Sequence, residues 1–168
     1  MLIRDARPED ARAIAAIYND AVRNTTAILN DGEVDAANRI GWMRARADLG
    51  YPVLVAVMEQ QVIGYASFGD WRAFDGYRAT VENSVYVSPG ARGRGVALAL
   101  LQALIPCARA LGKHVMVAAI TAENEVSIRL HARAGFVETA RMCEVGQKFG
   151  RWLDLVFMEL RLDGRPVP

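Results

Sequence analysis

Apolar residues change their spacing several times along the chain, and each change marks an element. Residues 80–87 alternate strictly. Val81, Asn83, Val85 and Val87 fall on one face, and Glu82, Ser84 and Tyr86 on the other, which predicts a strand. Across residues 94–111 the spacing becomes helical, with Ala97, Leu101, Leu104, Ala108 and Leu111 along one stripe and Gly112 as the stop. Residues 114–120 are almost continuously apolar, the pattern of a strand buried on both faces. Strand, helix and buried strand make a βαβ unit, whose crossover is expected to be right-handed.

The flanks read in the same way. Residues 2–6 form a short strand. Pro8, Glu9 and Asp10 open a helix that carries Ile14, Ile17, Tyr18 and Val22 at helical spacing. Residues 24–35 are polar and irregular. A second helix covers residues 36–49 and stops at Gly50. Residues 52–58 and 62–68 are strands joined by a turn at residues 59–61, and residues 69–78 form a loop. A short helix covers residues 124–134 and ends at Gly135. Strands follow at residues 136–143 and 152–162, with residues 145–150 as their hairpin loop. The polar tail from Asp163 is expected to be flexible. The order β-α-α-β-β-β-α-β-α-β-β predicts one α/β domain over residues 1–168, built on a mixed sheet.

Composition narrows the function classes. A chain of 168 residues, 52% hydrophobic and 23% charged, has the make-up of one ordinary globular domain. A net charge of +1 carries no footprint for nucleic acid. No apolar stretch has the roughly 18 residues of a membrane span, and the first residues lack the apolar core of a signal peptide. Cys107 and Cys143 are too few for a disulfide scaffold. A cytosolic location with two reduced, buried thiols is expected. His114 and His131 lie too far apart for a recognisable metal motif, so no metal is expected.

The strongest chemical signal lies where the alternating strand meets the helix, at Val85-Tyr86-Val87-Ser88-Pro89-Gly90-Ala91-Arg92-Gly93-Arg94-Gly95-Val96-Ala97. The first N–H groups of a helix have no intrahelical partner, and the helix dipole adds positive potential there. Such a turn suits a pyrophosphate. Gly93 and Gly95 allow close backbone approach, and Arg92 and Arg94 add charge. Taken alone, a Gly-rich turn is also compatible with a plain structural loop. A Walker A loop would need Gly-Lys-Ser/Thr, and a dinucleotide fingerprint would need a third glycine where Leu98 stands. Arg92-x-x-Gly95-x-Ala97 instead matches the pattern R/Q-x-x-G-x-G/A.

With that motif the chain resembles the GNAT superfamily of N-acetyltransferases. Asn124 and Ser127, then Leu130-His131, then Gly135-Phe136 add a second matching element, and the element order agrees over residues 2–162. The resemblance implies a GNAT fold with a mostly antiparallel twisted sheet and acetyl-CoA as co-substrate. It implies pantetheine pairing along Val85, Tyr86 and Val87. The pyrophosphate cradle would comprise Gly93, Arg94, Gly95, Val96, Ala97 and Leu98 next to Arg92, with Asn124 and Ser127 reaching the cofactor. Asn124 also reads as a plain helix N-cap. Glu82 stands where the family often carries a base acting through water, and the Val87 N–H where it stabilises the oxyanion. His131 replaces the tyrosine that often serves as general acid. It is either catalytic or a packing residue.

A closer resemblance, to the phosphinothricin and methionine sulfoximine acetyltransferase group, rests on five stretches. They begin at Tyr18, Asn24, Gly69, Thr80 and Val145: YNDAV, NTTA, GDWR, TVENSVYV and VGQKFGRW. It implies acetylation of the α-amine of methionine sulfoximine, methionine sulfone or phosphinothricin, in detoxification or amino-acid scavenging. Arg72, or else Arg78, would hold the substrate carboxylate. Trp71, Phe74 and Tyr77 would wall the pocket near Ala73, and Glu82, Asn83 and Ser84 would contact substrate. Lys148 and Phe149 would approach from the late hairpin. The same resemblance implies a homodimer. Two alternatives stay open: an acetyltransferase for peptide N-termini, lysines or polyamines, and a non-catalytic acyl-CoA-binding module.

Overall fold

Two tight hairpins shape the outer parts of the sheet. β2 (Val53–Met58) and β3 (Gln61–Asp70) are joined by Glu59 and Gln60 alone, at φ 49° and 64°. Two successive positive φ values match the right-handed twist of paired strands, so the register closes at Met58↔Gln61. The same device joins β6 (Val137–Lys148) to β7 (Arg151–Arg161), through Phe149 at φ 51° and Gly150 at φ 70°. The expected six-residue loop at 145–150 is therefore a two-residue turn. Gly146, Gln147 and Lys148 pair with Leu153, Trp152 and Arg151, and a bulge between Met142 and Gly146 absorbs the surplus residues. Glu144, at φ 54°, donates its N–H to Asp154 at 2.9 Å and steadies the bulge.

The computed structural model describes residues 1–167; Pro168 of the expected flexible tail lies outside the described residues. The remaining elements are β1 (Leu2–Asp5), α1 (Ala11–Asn24) after a 3₁₀ turn at Pro8–Asp10, α2 (Ala36–Asp48), β4 (Thr80–Val87), α3 (Val96–Ala110), β5 (Val115–Thr121) and α4 (Glu125–Arg133). The seven strands of the described residues lie in the order β1-β2-β3-β4-β5-β7-β6. Among them only β4 and β5 run parallel, so the sheet is mixed and mostly antiparallel, as expected.

Alternation along the central strands divides the core between the two faces. Phe68, Val81 and Met116 pack against Leu100, Leu101 and Leu104 of α3. All six are essentially inaccessible to solvent. Burying each of these leucines contributes about 2 kcal/mol. Tyr65, Val53 and Val55 meet Ile14 and Ile17 of α1. Leu111, placed on the apolar stripe by its spacing, lies beyond the end of α3 and is exposed. Cys107 is half-buried, but Cys143 is exposed in the β6 bulge, contrary to expectation.

The start of the tail makes contacts with the α3–β5 turn. Asp163 holds His114 at 2.6 Å and Arg165 at 2.7 Å, and Arg165 donates to the Gly112 carbonyl. Leu162 before it is buried. No helix of the described residues is long and apolar enough to cross a membrane.

Buried Asp10 locks the N-terminus. It accepts from Arg4 at 2.7 and 2.9 Å and from the Arg7 N–H at 2.7 Å. The bond from Arg4 is the main reason its pKa lies below the usual carboxylate value. Its ionised form therefore contributes stability that is present above the unfolded pKa and is lost as pH falls through the lower folded one. Asp10→Asn is expected to cost about 1–3 kcal/mol at neutral pH. The gap from the parent protein is expected to narrow in strong acid. Urea unfolding at several pH values checks both points.

Candidate active site

β4 and β5 pair over three positions only, Thr80↔Val115, Val81↔Met116 and Glu82↔Val117. Beyond Glu82 the two strands separate, while β5 stays paired with β7 along its whole length. The separation opens a cleft of about 610 Å³, a volume in the range of small-molecule sites. Its walls are residues 83–87 of β4, residues 118–121 of β5, the start of α4, and Thr25, Thr26 and Ala27 from the α1–α2 connection.

The cleft presents unpaired backbone. Ser88 donates its N–H to the Ile63 carbonyl at 2.9 Å on the β3 side. Alternation therefore turns the main-chain groups of Val85 and Val87 to the other edge, where β5 has diverged and where, apart from the Val87 carbonyl held by Arg92, they are open to a ligand. An extended amide-bearing chain can pair there. Past Val87 the chain makes one 3₁₀ turn at Pro89–Ala91 and enters α3 through Gly93 at φ 74° and Gly95 at φ 77°. Gly95 is the N-cap and makes no side-chain cap bond, so the first N–H groups of α3 are left for a ligand. A Cβ on either glycine would meet nothing within 4 Å. The left-handed backbone, rather than crowding, is what calls for glycine at both positions. This donor set fits a pyrophosphate, and the free strand edge fits a pantetheine arm.

Arg92 and Arg94 differ in their placement. Arg92 is paired with Asp20 of α1 at 2.6 Å and donates to the Val87 carbonyl at 3.2 Å, so its charge ties the turn to α1. Arg94 is exposed. Val96 is buried in the core, and Ala97 lines the cleft. Asn124 caps α4, its side-chain oxygen accepting from the Ser127 N–H at 3.1 Å, while both residues also line the cleft.

His131 is buried in the cleft wall with both ring nitrogens engaged. Nδ1 faces the Ser127 carbonyl at 2.8 Å, and Nε2 faces the Asn83 side-chain oxygen at 3.1 Å. Asn83 in turn donates to the Val117 carbonyl at 2.9 Å, where the strands part. Burial lowers the His131 pKa, and the Ser127 carbonyl acts in the opposite direction. Of the two roles open to His131, catalytic or packing, this geometry accords with the second, since both ring nitrogens face protein oxygens. In this geometry it braces β4 against α4.

Glu82 directly precedes the cleft-lining Asn83 on β4 and shares a strand face with Ser84 and Tyr86, but it does not itself line the cleft. Burial raises its pKa, and the charge of Arg72 partly offsets that rise. Burial also pushes the Tyr86 phenol up to about 12, so it stays protonated at neutral pH. Arg72 lies over the Trp71 ring at 4.8 Å, and Trp71 meets Phe157 edge-on at 5.6 Å. Ala73 is exposed beside them. Phe74 and Tyr77 are 76% and 45% exposed, so the expected aromatic walls do not close over the cleft. Arg78 is turned back onto the Asp75 carbonyl.

Lys148 also departs from expectation. It is buried and donates to the Ile28 carbonyl, so it pins the α1–α2 connection instead of reaching for substrate. Burial lowers its pKa. A neighbouring polar cluster has no counterpart in the sequence reading. Thr26 donates to Glu123 at 2.9 Å, and Arg151 reaches the same carboxylate at 3.1 and 3.2 Å. Phe149 and Arg151 bring the hairpin to the cleft mouth.

Comparison with known proteins agrees with this geometry. The model of the Acetyltransferase (GNAT) family matches residues 14–136. An L-methionine sulfoximine/L-methionine sulfone acetyltransferase of Pseudomonas paraeruginosa is 60% identical over 162 residues, covering 96% of this chain and 94% of its own. An acetyltransferase of Salmonella typhimurium, solved with its cofactor acetyl-CoA, superposes with a TM-score of 0.98 at 57% identity, over 99% of this chain and 96% of that one. A ribosomal-protein-alanine N-acetyltransferase of Brucella melitensis superposes at 0.94 with 52% identity, over 96% and 99%. The chain belongs to the GNAT family of acetyltransferases, and it is an acetyl-transferring enzyme whose co-substrate is acetyl-CoA.

Proposed function

We propose that the enzyme acetylates the α-amine of a small amino-acid-like substrate, with methionine sulfoximine, methionine sulfone and phosphinothricin as the class. The observation that carries this reading is the half-buried Glu82 on β4, next to the cleft-lining Asn83 and close enough to Arg72 of the β3–β4 loop to feel its charge. An α-amino acid has an ammonium one carbon from a carboxylate. A base beside a guanidinium matches that pair. The name of the Pseudomonas relative points to the same substrates.

Acetyl-CoA, when bound, supplies an activated acyl thioester. Glu82 removes a proton from the substrate ammonium through a water, aided by the burial that raises its pKa. The free amine then attacks the acyl carbon. The Val87 N–H, turned to the unpaired edge, donates to the oxygen that gains charge. The C–N bond forms, the C–S bond breaks, the nitrogen releases its surplus proton to solvent as the amide forms, and the thiolate takes a proton from solvent. Arg72 holds the substrate carboxylate. His131 keeps Asn83 in place at the fork.

A second reading takes a peptide N-terminus as acceptor. The name of the Brucella neighbour favours it, as do Phe74 and Tyr77, which leave the substrate side open. CoA release with a panel of amines separates the two. Saturable turnover is expected with methionine sulfone and methionine sulfoximine. Turnover confined to a peptide N-terminus or a polyamine would discard the amino-acid pocket, and acetyl-CoA binding without turnover of any amine would leave only a binding module.

Glu82→Gln is expected to lower kcat on the order of 100-fold and to leave acetyl-CoA affinity unchanged. A raised carboxylate pKa means that the base form is lost at a higher pH than for an ordinary glutamate. The parent enzyme should show an acidic limb in kcat/KM above the usual carboxylate range, and the variant should lack it. An identical profile in both would remove Glu82 from the proton path.

We also infer a homodimer. Support comes from the outer hairpin, where Val137, Met142, Val145 and Trp152 are between 48% and 65% exposed along the β6 edge and its turn side. An apolar edge of this kind is normally covered. Sedimentation should report twice the 18.4 kDa chain mass. A monomer at micromolar concentration would rule the dimer out.

A further inference from the structure

We propose that Tyr51 and Lys113 form a clamp that positions the substrate-side loop between β3 and β4, and so tune the affinity for the amino-acid substrate without touching it. The proposal rests on the assignment of Arg72 to the substrate carboxylate.

The clamp grips both ends of the loop. Asp70 is the last residue of β3 and precedes Trp71 and Arg72. Arg78 follows the 3₁₀ turn at Asp75–Tyr77, two residues before β4. Lys113, in the turn between α3 and β5, donates to the Arg78 carbonyl at 2.7 Å and to the Tyr51 hydroxyl at 3.0 Å. The Tyr51 hydroxyl donates to the Asp70 carboxylate. One ammonium and one phenol thus connect the residue that opens the loop to the residue that closes it. Three chain segments far apart in sequence meet there: the α2–β2 turn, the loop and the α3–β5 turn.

The grip is built on rigid parts. Tyr51 is buried, and its ring packs on Phe68 with centroids 5.1 Å apart. Phe68 is itself in the α3 core. Next to Asp70, the guanidinium of Arg46 lies directly over Gly69, where any Cβ would collide with it. The ends of the loop are also held by the Trp71 N–H on the Thr80 carbonyl at 3.4 Å, the His114 N–H on the Ala79 carbonyl at 2.7 Å and the Trp71 ring against Phe157. Residues 72–78 are exposed, and Arg72 rests only on the face of Trp71 and near Glu82. The position of its guanidinium therefore depends on where the two ends and the Trp71 ring are fixed. Small misplacements of a substrate-holding group are costly.

The test is steady-state kinetics with methionine sulfone and acetyl-CoA on Tyr51→Phe, Lys113→Met, Lys113→Arg and Arg72→Ala. Tyr51→Phe removes one oxygen and keeps the ring in the core. A melting curve for each variant confirms that it folds. Tyr51→Phe and Lys113→Met are expected to raise KM for methionine sulfone about tenfold, with KM for acetyl-CoA and kcat within about twofold. Lys113→Arg is expected to restore most of the loss. Trypsin should cut after Arg72 and Arg78 faster in Lys113→Met than in the parent. If Arg72→Ala raises KM for methionine sulfone while the clamp variants do not, or if they move both KM values equally, the clamp is overturned and the substrate reading stands. If Arg72→Ala leaves that KM unchanged, or the parent enzyme does not turn over methionine sulfone, the substrate reading falls and the clamp falls with it.

Discussion

The parting of β4 from β5 is the constraint on which the rest of the structure depends. Two parallel strands in mid-sheet normally stay paired, because an unpaired buried N–H or C=O costs about 1–3 kcal/mol. Here the ladder ends after Glu82↔Val117. Asn83 takes over at that point, its side chain donating to the Val117 carbonyl. His131 holds the other end of the Asn83 amide. Both ring nitrogens of His131 face oxygen atoms, an arrangement that the doubly protonated ring satisfies best. Burial opposes that charge. The fork is thus braced by a polar chain whose members constrain one another.

An open fork needs support on both sides. β5 has it from β7, which pairs with it from Val115↔Arg161 to Thr121↔Leu155. β4 has it from β3, from Asp70↔Val81 to Gly64↔Val87. Gly64 also permits a close approach, since a Cβ there would lie 3.0 Å from the Tyr86 carbonyl and 3.2 Å from Leu100. The mouth is shaped by the α1–α2 connection, drawn over the cleft by Lys148 from the hairpin and by Thr26 through Glu123. Residues that look like substrate contacts in the sequence, such as Lys148, turn out to hold this connection.

How much was legible follows from how local each signal is. The alternation of residues 80–87, the helical stripe after Gly95 and the Gly-rich turn between them are all local, and the structure has β4, α3 and an uncapped helix start at those places. The α/β class and the mostly antiparallel sheet were legible for the same reason. The turn at Phe149 and Gly150 was not, because Gly146, Gln147 and Lys148 gain strand character only from their partners on β7. Phe74 and Tyr77 read as pocket walls by residue type, yet type says nothing of the direction in which a loop side chain points. Asp163 looked like part of a loose tail, and only the fold brings His114 to it.

The two halves of the cleft are encoded by different means. On the side proposed for the acyl donor the available groups are main chain: the edges of Val85 and Val87, and the helix start after Gly95. Nearly any sequence that preserves two glycines and the strand geometry can supply them. On the side proposed for the acceptor the groups are side chains brought from separate segments, with Glu82 on β4 and Arg72 on an exposed loop. One substitution there changes charge or reach without disturbing the fork. Acceptor choice is therefore free to diverge while the donor site and fold stay constant. That is consistent with similar proteins whose names specify different acceptors. On the proposed reading, the physical determinants of selectivity lie in the loop and its anchors, away from the glycine-rich turn that makes the family recognisable.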